Sequence, residues 1–399
     1  MPVTTTAPAP TIPTRAWTML ALGVAAQAAG TLVVSAPALL IPYLHAQGTS
    51  LTLAGLLAAA PTFGMVLTLI AWGAVTDRFG ERLVIAGGLV LTTLAVIGAW
   101  AAAGNPVLLG LAFLAAGMTS ASTNAASGRV VVGWFPKERR GLAMGIRQMS
   151  QPLGVTLAAV TVPQLAEVSG IRSALVLPVL LCAVLALLCA IGIVNTPRPA
   201  RAAAPVEHVA NPYRSTGFLW RIHAVSVLLV VPQFTLSTYG LVWLVGLGWS
   251  TPAAGLLVGA SQFVGAIGRI LVGAWSDRAG SRVGPLRVVA LSAAVVMGLL
   301  ALVDATHVAA AAVFLVVATS VTVADNGLAY TSVAEAAGPF WSGRALGAQN
   351  TGQFIAASAV GPGVGALVGA VGFAASFGVV AVLPLLALPL VPRRDRSHD

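Results

Sequence analysis

Charged residues are scarce in this chain of 399 residues, where Asp, Glu, Lys and Arg together make up 8%. Soluble domains carry about 25% charged residues, so the composition excludes an ordinary soluble domain. Hydrophobic residues make up 58%, and the mean hydropathy is +0.93. They fall in runs of about 20, the length that a helix needs to cross a bilayer. The composition predicts an all-α membrane protein with many spans.

Residues that build enzyme sites are also few. The two cysteines, Cys182 and Cys189, share one apolar run, where small packing residues are expected rather than a disulfide or a metal site. The five histidines are scattered, and no phosphate-binding loop of the Walker type is present. We therefore predict no metal, no cofactor and no enzymatic activity.

The apolar runs predict twelve transmembrane helices with short connections: 17–44, 51–74, 84–103, 107–134, 142–166, 172–194, 217–247, 251–274, 287–303, 308–334, 344–369 and 371–391. A disordered cytoplasmic N-terminus (1–16) precedes them, and a cytoplasmic tail (392–399) follows. The Pro- and Ala-rich segment 195–216 predicts a cytoplasmic linker between two six-helix halves, 17–194 and 217–391. We expect an uncleaved first span, and proline kinks in 142–166 and 344–369.

Internal repetition supports these two halves. Residues 54–82 align with 254–282, and "GIRQMSQ" (145–151) matches "GAQNTGQ" (347–353). Two pseudo-symmetric halves in the same orientation form a parallel repeat, which places a substrate site near the midplane between them.

The basic residues predict the orientation in the membrane. With the N-terminus in the cytoplasm, one basic residue, Arg172, lies in an external loop and three, Arg129, Arg147 and Arg269, lie within spans. That leaves 17 of the 21 Lys and Arg on the cytoplasmic side. Both termini are therefore expected in the cytoplasm, in a cell inner membrane. Because short loops carry the net charge of +10 toward lipid headgroups, nucleic acid is not an expected partner.

A charged motif recurs in two loops, "GAVTDRFGER" (73–82) and "GAWSDRAGSR" (273–282). Its residues are Gly73, Asp77, Arg78, Gly80 and Arg82, then Gly273, Asp277, Arg278, Gly280 and Arg282. The repeated pattern resembles the loop signature of the major facilitator superfamily. That resemblance implies the fold of this superfamily and transport by alternating access. We interpret each copy as a latch that closes the cytoplasmic side; the alternative is a motif that only directs insertion.

Polar residues inside spans are costly and are candidates for a site. Spans five and eleven present polar groups at matching depth, and spans one, four, seven and eight add others. The predicted substrate-binding residues are Arg147, Gln148, Gln151, Asn350, Gln353, Gln27, Asn124, Gln233 and Gln262. The alternative is interhelical hydrogen bonding that holds the bundle together. Arg129 and Arg269 lie near span ends, where we expect snorkelling or membership of the latch.

Asp325 is the acid predicted to lie deep within a span. A lone buried carboxylate is either protonated or held ionised by a cation such as Arg147. Either state suits a group that carries the coupled proton. The alternative is a permanent structural ion pair with an arginine.

The sequence of span five bears on the substrate. "GIRQMSQPLGVTLAA" lacks the Gly before Pro and the Gly-Gly of the span-five pattern of drug–proton antiporters. "RGLAMGIRQ" and "GRALGAQNTGQ" resemble a branch that includes cyanate permeases and other small-anion carriers. We predict a monomeric, proton-coupled secondary transporter of a small organic or inorganic anion. A proton-driven multidrug exporter is the first alternative, and a signalling membrane protein is the second.

Reporter fusions test the predicted topology. We expect external signals at His45, Gly104, Gly170 and Gly248, and cytoplasmic signals at Gly80, Lys137, Ala204 and Gly280. A reversal at one site would remove a span and contradict the repeat.

Overall fold

The computed structural model describes residues 13–196, 210–306 and 310–396, and its regular structure in these ranges is helical. The helices are α1 Thr14–Leu39, α2 Ile41–Ala46, α3 Leu51–Phe79, α4 Glu81–Ala101, α5 Pro106–Trp134, α6 Arg140–Arg147, α7 Ser150–Gly192, α8 Pro212–Ser215, α9 Phe218–Gly246, α10 Thr251–Ala279, α11 Val283–Thr306, α12 Ala311–Thr322, α13 Asp325–Ala337 and α14 Ser342–Ala387, with short 3-10 turns at Lys137–Arg139 and Leu388–Leu390.

Ten helical stretches within these ranges are long and apolar enough to cross a membrane. Two of them, Lys137–Gly192 and Ser342–Leu390, have 56 and 49 residues, about twice the length of one crossing. The backbone leaves helical geometry at Ser169 and Gly170 inside the first stretch, and at Gly372 inside the second. The predicted connections near 167–171 and 370 correspond to these breaks.

Proline acts on the two repeat-related spans differently. Between α6 and α7 the helix is interrupted at Gln148 and Met149, just before Pro152. A proline lacks the N–H that would bond the carbonyl four residues earlier, and its ring clashes with that carbonyl, which here belongs to Gln148. The helix predicted over 142–166 is therefore interrupted where the kink was expected. The matching span is helical through Pro362 up to the break at Gly372.

The predicted terminal and linker segments lie only partly within the described residues. Residues 1–12, 197–209 and 397–399 lie outside them. The prediction of disorder up to residue 16 is wrong at its end, because α1 begins at Thr14. The end of the predicted linker forms the short helix α8, capped by the Asn211 side chain, which accepts a hydrogen bond from the Tyr213 N–H at 3.0 Å.

The hydrophobic cores show how the two halves of the chain meet. One cluster of buried side chains contains only residues before 196, and another contains only residues after 210. A third joins the two halves, with Val131 and Met144 from the first and Leu286 and Leu346 from the second. It lies at the end of the bundle where Gly80 and Gly280 terminate α3 and α10, which we call the motif end. The halves are therefore packed together at the motif end and keep separate cores toward the opposite end.

Glycines permit the closest approach between the halves. A Cβ on Gly73 would overlap the carbonyl oxygen of Gly343, and a Cβ on Gly273 would overlap that of Gly141. Each pair joins a helix of one half to the start of a helix in the other. Only a residue without a side chain allows this backbone contact.

A single methyl group tests this packing. Gly273→Ala should destabilise the joined halves by about 1–3 kcal/mol, because the overlap forces α6 and α10 apart. The matched control is Gly259→Ala on the same helix, where an added Cβ meets no atom within 4 Å. We expect a lower unfolding temperature for the first variant and an equal or higher one for the second. Equal temperatures for both would show that the contact is not tight.

Candidate functional site

A cavity of about 500 Å³ lies between the two halves of the chain. Its floor is an amide-rich layer near the middle of the bundle. Its walls rise toward the end opposite the motif end, past Leu39 and Ala58 in the first half and Ala357 in the second. The volume falls within the range of small-molecule sites, about 300–1,000 Å³.

Seven of the nine predicted binding residues line this cavity: Gln27, Asn124, Gln148, Gln151, Gln233, Asn350 and Gln353. The other two do not. Gln262 is half-buried on α10 and is absent from the lining, so we leave it out of the site. Arg147 is 1% exposed and lies beneath the floor. Asn326 and Tyr330 also line the cavity and were missed, although both lie within five residues of Asp325 in the sequence.

Arg147 is held by the first half of the chain. Its Nε donates to the Ser127 hydroxyl at 2.9 Å, and one terminal nitrogen donates to Gln148 Oε1 at 3.0 Å. The other donates to the backbone oxygen of Asn124 at 2.8 Å and to its Oδ1 at 3.2 Å. Tyr330, in the second half, places its ring 5.4 Å from the guanidinium. The charge of Arg147 therefore acts on the cavity through Gln148 and Asn124, which line it.

The second half contributes a separate hydrogen-bonded network. The Tyr330 hydroxyl lies within hydrogen-bond distance of Asn350 Oδ1 and of Gln353 Oε1, the latter at 2.8 Å, and its one hydrogen serves one of these oxygens at a time. Gln353 Nε2 donates to Asn326 Oδ1 at 2.9 Å, and Asn326 Nδ2 donates to Gln233 Oε1 at 2.8 Å. These residues come from α9, α13 and α14, so the network holds three helices of this half in register.

Asp325 is 1% exposed at the first turn of α13. Among the described residues, no group forms a hydrogen bond of normal geometry with either carboxylate oxygen. The backbone N–H groups of Asp325 itself and of Asn326 nevertheless act on the carboxylate electrostatically. The cation that acts on it is Arg269 of α10. The suggestion that Arg147 is its cation is therefore wrong, since the two arginines lie on different halves and Arg147 is held by Ser127 and Asn124.

Arg269 also departs from its predicted place. It is 4% exposed and takes no part in the motif contacts. Its Nε donates to the Val323 carbonyl, and a terminal nitrogen donates to the Gln148 carbonyl, each at 3.2 Å. Because Gln148 belongs to the other half, this bond joins the halves directly beneath the cavity floor.

The two motif aspartates each cap a helix of the opposite half. Asp77 accepts from the backbone N–H groups of Gly343 at 2.8 Å and Arg344 at 3.0 Å, at the start of α14. Asp277 accepts from the N–H groups of Gly141 and Leu142, both at 2.8 Å, at the start of α6. A carboxylate at a helix N-terminus is stabilised by the free N–H groups and by the helix dipole.

Each cap is supported by ion pairs. The places of the arginine and the glutamate are exchanged between the two halves. In the first, Arg129 of α5 lies 2.8 Å from Asp77 and 3.1 Å from Glu81. In the second, the loop residue Arg282 lies 2.6 Å from Asp277 and 3.1 Å from Glu335 of α13. Arg129 thus joins the motif cluster, as expected.

The other motif residues contribute less to these contacts. Arg82 donates to the Ala190 carbonyl at 2.6 Å within its own half. Arg78 and Arg278 are exposed. Gly80 and Gly280 end α3 and α10 with φ of 94° and 61°, a backbone region that favours glycine.

The fold is that of a polytopic helical membrane protein, with a cavity of small-molecule size between the two halves of the chain. A family model described as Major Facilitator Superfamily matches residues 18–360. The chain therefore belongs to the major facilitator superfamily, a family of membrane transporters rather than enzymes, and the predicted resemblance is confirmed.

Individual relatives agree with this assignment. An uncharacterized MFS-type transporter of Mycobacterium tuberculosis is 44% identical over 382 residues, 95% of this chain and 85% of the relative. A probable chloroplastic anion transporter of Oryza sativa subsp. japonica is 29% identical over 154 residues, 38% of this chain and 29% of the relative.

Solved structures match the fold. A crystal structure of the E. coli fucose:proton symporter FucP gives a TM-score of 0.73 at 17% identity, covering 95% of this chain and 98% of that one. A second structure of FucP, described as in the outward conformation, also gives 0.73, at 16% identity and covering 95% and 99%. At these identities the likeness concerns the fold alone.

Asp77→Asn tests the cap. An asparagine leaves only one oxygen for the two N–H groups and removes one of the two acids paired with Arg129, so contact between the halves should weaken by about 1.5–3 kcal/mol. A reporter cysteine at Ala345, which is 0% exposed, should then be labelled roughly tenfold faster from the motif end, with Cys182 and Cys189 replaced. Glu167→Gln, at an exposed acid outside the caps, is the control. Unchanged labelling of a well-folded Asp77→Asn protein would leave the motif a role in insertion only.

Proposed function

We propose that this protein is a proton-coupled secondary transporter that carries a small anion across the cytoplasmic membrane by alternating access. The observation that carries this proposal is the cavity between the halves, closed at the motif end and lying above Arg147 and Arg269. We further propose a monomer with twelve crossings, counting two each for the stretches that break at Gly170 and Gly372.

The orientation follows from the basic loops at the motif end, which predict that this end faces the cytoplasm. The cavity then opens outward in this structure, and the two aspartate caps close the inner side. The match to FucP in the outward conformation is consistent with this state. Opening inward requires both caps to break, so the caps are the bistable element of the cycle.

The charges beneath the floor favour an anion. Two buried arginines and one buried carboxylate give a net charge of +1 if all three are ionised. In a medium of low dielectric constant this charge attracts anions and repels cations. The partial similarity to a probable anion transporter points the same way. The multidrug exporter fits less well, because a lipophilic cation would be repelled from this floor.

Asp325 provides a means of coupling to the proton. When its carboxylate is protonated, the net charge beneath the floor rises from +1 to +2 and the cavity attracts an anion more strongly. Arg269 and Tyr330 are the charged or titratable groups that act on Asp325. Arg147 acts on it through Tyr330. Arg269 also bonds the Gln148 carbonyl across the interface, so loss of the Asp325 charge alters a contact between the halves. Proton and anion are then expected to move in the same direction.

Proteoliposomes that contain the purified chain test this function. With an acidic exterior, we would measure uptake of labelled benzoate, phosphate and cyanate while an internal pH dye reports proton entry. Tetraphenylphosphonium tests the exporter alternative. We expect at least one of the anions to enter against its gradient together with protons faster than in protein-free liposomes, through which undissociated benzoic acid also diffuses. Proton movement driven only by the lipophilic cation would overturn the proposal in favour of the exporter.

Asp325→Asn tests whether Asp325 carries the coupled proton or only stabilises the fold. The variant mimics the protonated state permanently, so it should exchange labelled anion across the membrane but not accumulate it. A structural ion pair predicts a different result, because neutralising one member of a buried pair costs about 3–5 kcal/mol and lowers exchange and accumulation together. Asp304→Asn is the matched control, since Asp304 accepts from Trp243 Nε1 at 2.7 Å and an asparagine oxygen can still do so. Full accumulation by Asp325→Asn would assign the proton to another group.

A further inference from the structure

The amide side chains of the first half are oriented by a group that can only donate. A guanidinium has no acceptor, so Gln148 and Asn124 must turn their oxygens toward Arg147. The Ser127 hydroxyl accepts from Arg147 Nε and therefore donates its own hydrogen to Gln27 Oε1, at 2.7 Å. Through these bonds one arginine sets the direction of three amides.

The network of the second half depends on a single hydroxyl hydrogen. Asn350 Nδ2 donates to the Leu346 carbonyl at 2.9 Å, which leaves its oxygen to accept from Tyr330. No donor-only group fixes the direction of the bonds that join Gln353, Asn326 and Gln233, so Gln233 is not part of the oriented set.

The consequence is an amide floor that offers donors. The NH₂ groups of Gln27, Asn124 and Gln148 have no hydrogen-bond acceptor among the described residues, and all three side chains line the cavity. Their oxygens are already engaged. An anion would find unused N–H donors at this floor, whereas a cation would find the oxygens of these amides occupied.

The walls above the floor are mainly apolar, although Ser35, Thr62 and Ser358 also line them. Val34 and Met65 line one side, and Val230, Phe234 and Phe354 line the other. Phe354 packs against the cluster that contains Met65, so this wall crosses from one half to the other. A cavity of about 500 Å³ is far larger than an inorganic anion needs, and the apolar walls would give such an ion no favourable contact.

We propose that the cavity binds an organic monocarboxylate, with its carboxylate on the amide NH₂ groups of Gln27, Asn124 and Gln148 and its apolar body between the walls. Arg147 is the positioning residue: it selects an anion by orienting the amides and does not touch the ligand. This inference rests on the proposed anion transport and adds the chemical class of the substrate.

Ligand binding to the purified full chain tests the chemical class. Benzoate should bind about tenfold or more tightly than benzamide, because bonds to a charged group are stronger, and benzylamine should not bind. From acetate to hexanoate the affinity should rise about fourfold for each methylene group buried. Phosphate, sulfate and cyanate should bind weakly. Equal affinity along the carboxylate series, tighter binding of an inorganic anion, or no carboxylate binding would each overturn the inference.

Two variants test the role of Arg147 in positioning. A lysine keeps the charge but cannot hold Ser127, Asn124 and Gln148 together, so Arg147→Lys should reduce the benzoate-to-benzamide ratio to roughly three or less. Gln148→Glu replaces one donor by an acceptor and should weaken benzoate binding about 100-fold. Gln164→Glu, at an exposed glutamine of α7 outside the cavity, is the matched control and should bind like the parent protein. An unchanged ratio in Arg147→Lys would show that charge alone selects the ligand.

The two proposals fail in different ways. If phosphate or cyanate is taken up with protons while benzoate is not, anion transport stands and the monocarboxylate class is wrong. If carboxylates bind with the expected ratios but no anion drives proton entry, the site is correct and the coupled transport is wrong.

Discussion

Each half of the chain caps a helix that begins in the other half, and the rest of the structure depends on these two caps. Asp77 binds the first N–H groups of α14, and Asp277 binds those of α6. A free helix N-terminus carries unsatisfied donors and a partial positive charge, so a carboxylate satisfies both at once. Each of these contacts fixes the start of a whole helix to the opposite half.

The capped helices lead directly to the cavity. From its capped start, α6 runs to Arg147 at its end, and Gln148 follows. From its own capped start, α14 reaches Asn350 within a few turns. Each capped helix therefore connects the motif end to the floor of the cavity, with no separate linking element.

The buried charges obey a second constraint. A guanidinium inside a membrane protein is tolerated only when its N–H groups are satisfied. Arg147 meets this requirement with a hydroxyl, two amide oxygens and a backbone carbonyl instead of an acid. Its positive charge is therefore not cancelled locally and remains available to the cavity. Asp325 and Arg269 act on each other without a close ion pair.

Much of the fold was predictable because a bilayer imposes strong constraints on sequence. Span length, basic loops and the repeated motif each leave a direct pattern in the chain, so the helices lie close to their predicted positions. The amides of spans five and eleven could also be predicted, since a polar residue at mid-depth is conspicuous among apolar ones. The depth of a residue can be estimated from its position within a span. The direction in which its side chain points around the helix axis cannot be estimated from that position. For this reason Gln262 was included and Tyr330 was missed.

The sequence by itself determined the class of protein, the helices, the repeat and the presence of polar groups at the midplane, because these depend on local hydropathy and spacing. Only the tertiary structure decided which partner each polar group takes. The assignment of Asp325 to Arg269, of Arg147 to Ser127 and Asn124, and of each motif aspartate to a helix of the opposite half depends on contacts between segments 20 to 267 residues apart. Such contacts follow from how helices pack against one another. They cannot be predicted from the hydropathy along one helix.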